Sequence, residues 1–147
     1  MRGIMVLLRM SLLKEIQKLD AKKSQPGTVA LSRAVNEKYK DTGTYGIYTP
    51  RLTRNGDKVS VHTEGRAWDC KCNVLTQKET GDEIFNLLIE KQTQLGIEKV
   101  IWDGKVWEGG DVKNYTGVNP HTNHLHIEQS VEKSHSLTYR EIKEILG

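Results

Sequence analysis

The chain has 147 residues, 36% of them apolar and 28% charged, which suits one domain with one modest core. A net charge of +3 falls short of the dense Lys/Arg stripe of a dedicated nucleic-acid binder. The two cysteines, Cys70 and Cys72, are too close in sequence for a good disulfide, so there is no disulfide framework.

The first residues, MRGIMVLLRMSLLKEIQKL, combine an early Arg2 with an apolar run. Arg9 interrupts that run, no small-residue cleavage site follows, and the stretch is too short to span a bilayer. It does not read as a signal peptide, so action outside the cytoplasm would need another export route. Leu8, Leu12, Ile16 and Leu19 recur at helical spacing and predict an amphipathic helix at about 7–22. KKSQPGT (22–28) reads as a loop turning at Pro26-Gly27. Residues 1–25 are thus an N-terminal helix and linker.

A second helix is predicted over 29–39, and TYGIYTPR (44–51) reads as a strand. Asn55-Gly56 is a strong hairpin signal, because both positions tolerate positive φ. The returning strand, KVSVHTEG (58–65), alternates Val59 and Val61 with Ser60 and His62. TGDEIFNLLIEKQTQLG (80–96) is the clearest helix, with Thr80 as N-cap, Glu83 completing a capping box, and Ile84, Leu87, Leu88 and Leu95 as the buried stripe. Gly96 closes it. EKVIWDGKVWEG (98–109) reads as a hairpin turned at Asp103-Gly104. NHLHIEQS (123–130) alternates as a strand, with His124 and His126 on one face and Leu125 and Ile127 on the other. SLTYREIKEILG (136–147) predicts a closing helix. Cys70 and Cys72 read as small strand residues that pack like hydrophobes. Strands and helices mix without a βαβ rhythm, so the fold class is α+β in a single domain spanning 1–147.

The chemistry concentrates in two places. In SVHTEGRAWD (60–69), a glycine-containing bend separates His62 from Asp69, so the two side chains can meet at one point. In HTNHLHIE (121–128), three of the five histidines, His121, His124 and His126, fall within six residues. Imidazole is the commonest zinc ligand, and a zinc site needs three or four side chains converging on a tetrahedron. His135 reads as a surface residue. Arg66 reads as structural. Ser60 reads as a hydrogen-bonding partner to the site rather than a nucleophile, since no Ser-His-Asp arrangement surrounds it.

The run from Ser60 through His62, Gly65 and Ala67 to Asp69 resembles the Ser-x-His-x-x-Gly-x-Ala-x-Asp motif of the zinc D-Ala-D-Ala carboxypeptidase and murein endopeptidase superfamily. The hedgehog signalling domain shares that fold and has a closely similar motif. The segment from His121 through His124 to His126 resembles the His-x-x-His-x-His of the endopeptidase branch. Tract 100–126 is similar to a peptidoglycan-acting domain of actinobacterial secreted proteins and phage lysins. The likeness covers about 44–130, taken as the core that carries the site. It implies a hedgehog/DD-peptidase-like fold, a small antiparallel sheet flanked by helices, with zinc bound by His62, Asp69 and His126.

The same resemblance implies a monomeric metallopeptidase acting on peptidoglycan stem peptides or cross-links at the cell wall, with neither nucleic acid nor membrane as partner. The carboxypeptidase branch places a general-base glutamate three residues before the last ligand, where this chain has Asn123. The acid–base role then falls to His121 or His124. Arg51, after the YGIYTP strand, is expected with Ser60 to hold the substrate. A noncatalytic, zinc-stabilised binding module of the same fold is the alternative. A nuclease of the His-Asn-His type would leave HTEGRAWD without a role.

Overall fold

The computed structural model describes residues 23–49 and 58–147. The helix expected at 7–22, the turn at Asn55-Gly56 and Arg51 lie outside the described residues. The class is α+β in one small domain, as the sequence predicts.

Helix α1 spans Pro26–Lys38, so it begins at Pro26 rather than at 29. Proline fits the first helical turn because its absent N–H has no intrahelical partner there, and its φ is already helical. Strand β1 is confined to Gly43–Gly46. The strand predicted over 58–65 is instead a 3₁₀ turn at Val61–Glu64. Ser60 caps this turn by accepting a hydrogen bond from the His62 N–H, and Gly65 closes it in the left-handed region at φ 71°. A cap on each side makes a short helix of what the valine spacing suggested was a strand.

Strand β2 (Ala67–Lys71) follows, then helix α2 (Val74–Glu90). The cap of α2 is Asn73, not Thr80, which lies inside the helix. The Asn73 side chain accepts from the Leu75 N–H, and the Gln77 side chain accepts from the Asn73 N–H. These reciprocal bonds draw the start earlier, and the helix absorbs a kink at Gln77. A short α3 (Gln92–Leu95) ends at Gly96. Strands β3 (Ile97–Trp102) and β4 (Lys105–Glu108) form the predicted hairpin, with Asp103 and Gly104 both at positive φ. Next come β5 (Asp111–Asn114), β6 (His124–Gln129), α4 (Val131–Ser136) and α5 (Tyr139–Leu146).

The strands form one sheet in the order β1-β2-β6-β3-β4-β5, and every neighbouring pair is antiparallel. Cross-strand register puts Trp68 opposite Ile127, Cys70 opposite Leu125, and Val100 between Ile127 and Trp107. These residues are buried against Leu31, Val35, Ile84, Leu88 and Ile142 of the helices. The helices therefore cover one face of the sheet. Burial raises the pKa of both Cys70 and Cys72, which makes them inert packing residues. The next residues along the strands, Asp69, His126, Glu128 and Ile101, occupy the opposite face. No helix among the described residues is long and apolar enough to cross a membrane.

Gly65 is where the backbone is most constrained. Besides its positive φ, a Cβ there would lie 2.2 Å from the Lys23 carbonyl oxygen. Gly65→Ala is therefore expected to destabilise the domain by about 2–4 kcal/mol, combining left-handed strain with a backbone clash. Urea unfolding checks this, and an unchanged midpoint would refute the account of the turn.

Candidate metal centre

The site is assembled on the open face of the sheet from two strands and one turn. Asp69 and His126 are directly opposite each other on β2 and β6. Asp69 Oδ1 lies 3.1 Å from His126 Nδ1, and Asp69 Oδ2 lies 3.2 Å from His62 Nε2. Donor atoms that share a tetrahedral ion at ~2.0–2.1 Å sit roughly 3.3 Å apart. Among the described residues, His62, Asp69 and His126 form a group whose donor atoms all lie within 4.8 Å of one another and which can hold a metal ion. His124 does not join it, although its Nε2 stands 3.6 Å from Asp69 Oδ1.

Two of the rings have their tautomers fixed by partners behind them. His62 Nδ1 lies 2.7 Å from the Ile47 carbonyl oxygen, so Nδ1 donates to it and Nε2 is the nitrogen left to face Asp69. That Nε2 is fully buried and has no hydrogen-bond partner. A buried imidazole nitrogen 3.2 Å from a carboxylate oxygen needs something positive between them, a proton or a metal ion. This is the observation that fits a metal ion to the site. His126 Nε2 lies 2.7 Å from Glu128 Oε2, which leaves Nδ1 turned to Asp69.

Burial acts to raise the Asp69 pKa, but the charges and hydrogen bonding of His126 and His62 outweigh it and hold the carboxyl far below the usual carboxylate range. Burial opposes charge on His126, yet Asp69 and Glu128 push its pKa up to about 9. The metal-free centre is thus a carboxylate–imidazolium cluster, in which an ion would take the place of a proton.

His121 sits at the rim in the left-handed region, φ 57°. Three hydrogen bonds hold it there. Its N–H donates to Asn119 Oδ1, its Nδ1 to the Asn119 carbonyl, and its own carbonyl accepts from the Asp103 N–H. Its ring centroid is 4.6 Å from that of His124 and 5.8 Å from that of His126. Burial, then the charges of His124 and His126, push its pKa down to about 4. A cleft of about 380 Å³ runs beside the centre, lined in part by Ser60, Ile101, Tyr115, His121, His126 and Glu128.

The sequence-predicted residues His62, Asp69, His121, His124 and His126 thus come together around one carboxylate. Ser60 acts on the site by capping the turn that carries His62, and it also lines the cleft. Arg66 ties Glu64, Glu98 and the Gln129 carbonyl together, the structural role expected of it. Exposed His135 joins none of the cluster's contacts among the described residues. Glu128, Asn119 and the Ile47 carbonyl were not anticipated. Glu128 was within reach, since it continues the alternation of His124 and His126.

Fold and site together define a small α+β domain with a candidate metal centre on the face of its sheet opposite the helices. The family model described as VldE, C-terminal domain matches residues 20–126, a span holding all five of the clustered residues, and the chain belongs to that family. No curated protein and no solved structure matches it.

A divalent transition-metal ion should raise the thermal unfolding midpoint of the wild-type chain. His62→Ala and Asp69→Asn should each abolish the rise. At a free-ion concentration of 100 times Kd the gain is ~2.7 kcal/mol. Thermal unfolding with and without chelator measures it, and a wild-type midpoint that ignores both ion and chelator would count against a metal centre.

Proposed function

We propose that this domain is a zinc metallopeptidase that hydrolyses peptide bonds of peptidoglycan. It would cut stem peptides or cross-links at the cell wall as a monomer. The observation that carries the reading is the buried Nε2 of His62 converging with Asp69 and His126, with His121 and the cleft beside His126. Two nitrogen donors and one carboxylate suit zinc, and three side-chain ligands with an open position are the catalytic pattern. The likeness of residues 60–69 and 121–126 to the DD-peptidase motifs supports the substrate class.

Zinc bound there supplies a Lewis acid that acidifies water and stabilises developing negative charge on a carbonyl oxygen. The chain's own residues supply the rest. His121 holds its proton on Nδ1, directed at the Asn119 carbonyl, which leaves Nε2 to accept a proton from the attacking water and return it to the leaving amine. Its low pKa keeps it in the neutral, accepting form across physiological pH. His124 holds Nδ1 against Asn123 Oδ1 at 2.7 Å and faces Asp69 with Nε2. It is the second candidate for the acid–base role. The cleft accommodates the peptide beside these groups, with Ile101 and Tyr115 offering apolar surface. Arg51 is retained as a residue that holds substrate.

The test is digestion of purified peptidoglycan by zinc-loaded full-length chain, with products identified by mass. Wild type should release muropeptides. His121→Ala should keep its zinc and lose about 10²–10⁴-fold in rate, the usual effect of removing a general base. Loss in His124→Ala with a normal His121→Ala would transfer the role to His124. Two zinc-bound variants with wild-type turnover would overturn both assignments. A zinc-loaded wild type that cuts no wall type would leave the noncatalytic zinc module as the reading.

A further inference from the structure

Glu128 stands two residues beyond His126 on β6, so strand alternation places both side chains on the open face. Its Oε2 is 2.7 Å from His126 Nε2, and its side chain is only 15% exposed. An ionised carboxylate accepts hydrogen bonds and cannot donate them, so the shared proton resides on Nε2. Nδ1, on the other side of the ring, is then the atom left to face Asp69.

The Glu128 carboxylate bonds His126 and also feels the charges of Lys99 and Arg66, each of which pairs at close range with another carboxylate. Register sets Ala67 on one side of Glu128 and Lys99 on the other. Ala67 is fully buried and contributes no more than a methyl group. The Lys99 ammonium is engaged by Glu108 at 2.9 Å. The Arg66 guanidinium is taken up by Glu64, Glu98 and the Gln129 carbonyl. His126 thereby acquires what His62 has in the Ile47 carbonyl, an acceptor that fixes which nitrogen is presented.

We infer that Glu128 is the positioning residue of the metal centre. It holds the Nε2–H of His126, orients the ring, and so commits Nδ1 to the ion. The inference rests on the metal-binding reading of His62, Asp69 and His126. Partners of this kind raise a ligand's basicity as well as fixing its tautomer, and their loss typically weakens metal affinity about 10–100-fold.

The experiment compares full-length wild type, Glu128→Gln and Glu128→Ala. Affinity for Zn2+ is read by competition with a chromophoric chelator, coordination by the visible bands of Co2+, and tautomer by histidine ¹⁵N NMR of the zinc-loaded protein. Glu128→Ala is expected to bind Zn2+ about 10–100-fold more weakly than wild type. Glu128→Gln, whose side-chain oxygen can still accept the Nε2–H, should recover part of that loss. The NMR spectrum of wild type should show His126 coordinated through Nδ1 with a protected Nε2–H, and Glu128→Ala should lose that protection. Zn2+ affinity of Glu128→Ala within about twofold of wild type, or Nε2 coordination in wild type, would overturn the inference. A wild type that binds neither Zn2+ nor Co2+ overturns the metal reading itself, and this inference with it, before any variant is compared.

Discussion

A single carboxylate on the face of the sheet opposite the helices sets the terms for the rest of the site. Asp69 is approached by His62 at one oxygen and by His126 and His124 at the other. Little water reaches it, so its negative charge needs a positive counterpart close by. In the absence of an ion, that counterpart is a proton on His126, held between Asp69 and Glu128. A divalent ion would serve the same purpose for all three ligands at once. It would also satisfy His62 Nε2, which otherwise needs a second proton on the ring to meet Asp69 while Nδ1 is committed to the Ile47 carbonyl. The proton and the ion therefore compete for one place, and the geometry favours whichever satisfies more donors.

The same register that builds this cluster also builds the core. Asp69 lies opposite His126, and His126 opposite Ile101. One step along, Trp68 lies opposite Ile127, and Ile127 opposite Val100. A slip of one residue between β2 and β6 would turn Asp69 and His126 into the helix-covered face and expose Trp68 and Ile127. Hydrophobic burial thus fixes the position of the polar cluster without any bond of the cluster's own. Trp68, Val100 and Leu125 are fully buried. With Gly81 lying flat against the Trp102 ring, the helical layer has no slack to accommodate such a slip.

How far this was legible from the residues follows from the kind of signal each element carries. Strand β6 shows its two faces in plain alternation, so His124 and His126 were correctly placed together. The Asp103-Gly104 turn is written in residues that tolerate positive φ. The turn holding His62 was misread because Val59 and Val61 mimic a strand period over too few residues, while the caps at Ser60 and Gly65 act over a single turn. Strand β5 carries no pattern because all four of its residues are exposed. Helix α2 begins with Val74 and a 91% exposed Leu75, so its first turn lacks the stripe that marks the remainder, and its cap is found in Asn73 alone. The contact that selects the nitrogen of His62 comes from the distant Ile47 carbonyl, whereas Asn119, Asn123 and Glu128 lie within two residues of the rings they hold. The Ile47 contact depends on tertiary structure, and no local spacing reveals it.

The two halves of the site are built to different tolerances, and this bears on what the site can do. The ligand half stands on paired strands and a doubly capped turn, where small displacements cost hydrogen bonds in the sheet. His121 belongs to the segment between β5 and β6, which has no regular structure. That segment is pinned back onto the β3–β4 turn by hydrogen bonds from Asp103 to His121, from Gly104 to Pro120, and from Tyr115 to Gly104. It thus borrows the rigidity of the hairpin at those points. Val118, 84% exposed on the same segment, lines the cleft that His121 overlooks. Under the proposed hydrolytic function, a ligand set on paired strands beside a rim pinned to the hairpin would let a substrate seat against the rim without disturbing the ligands. Sites that must bind, react and release commonly divide their rigidity in this way.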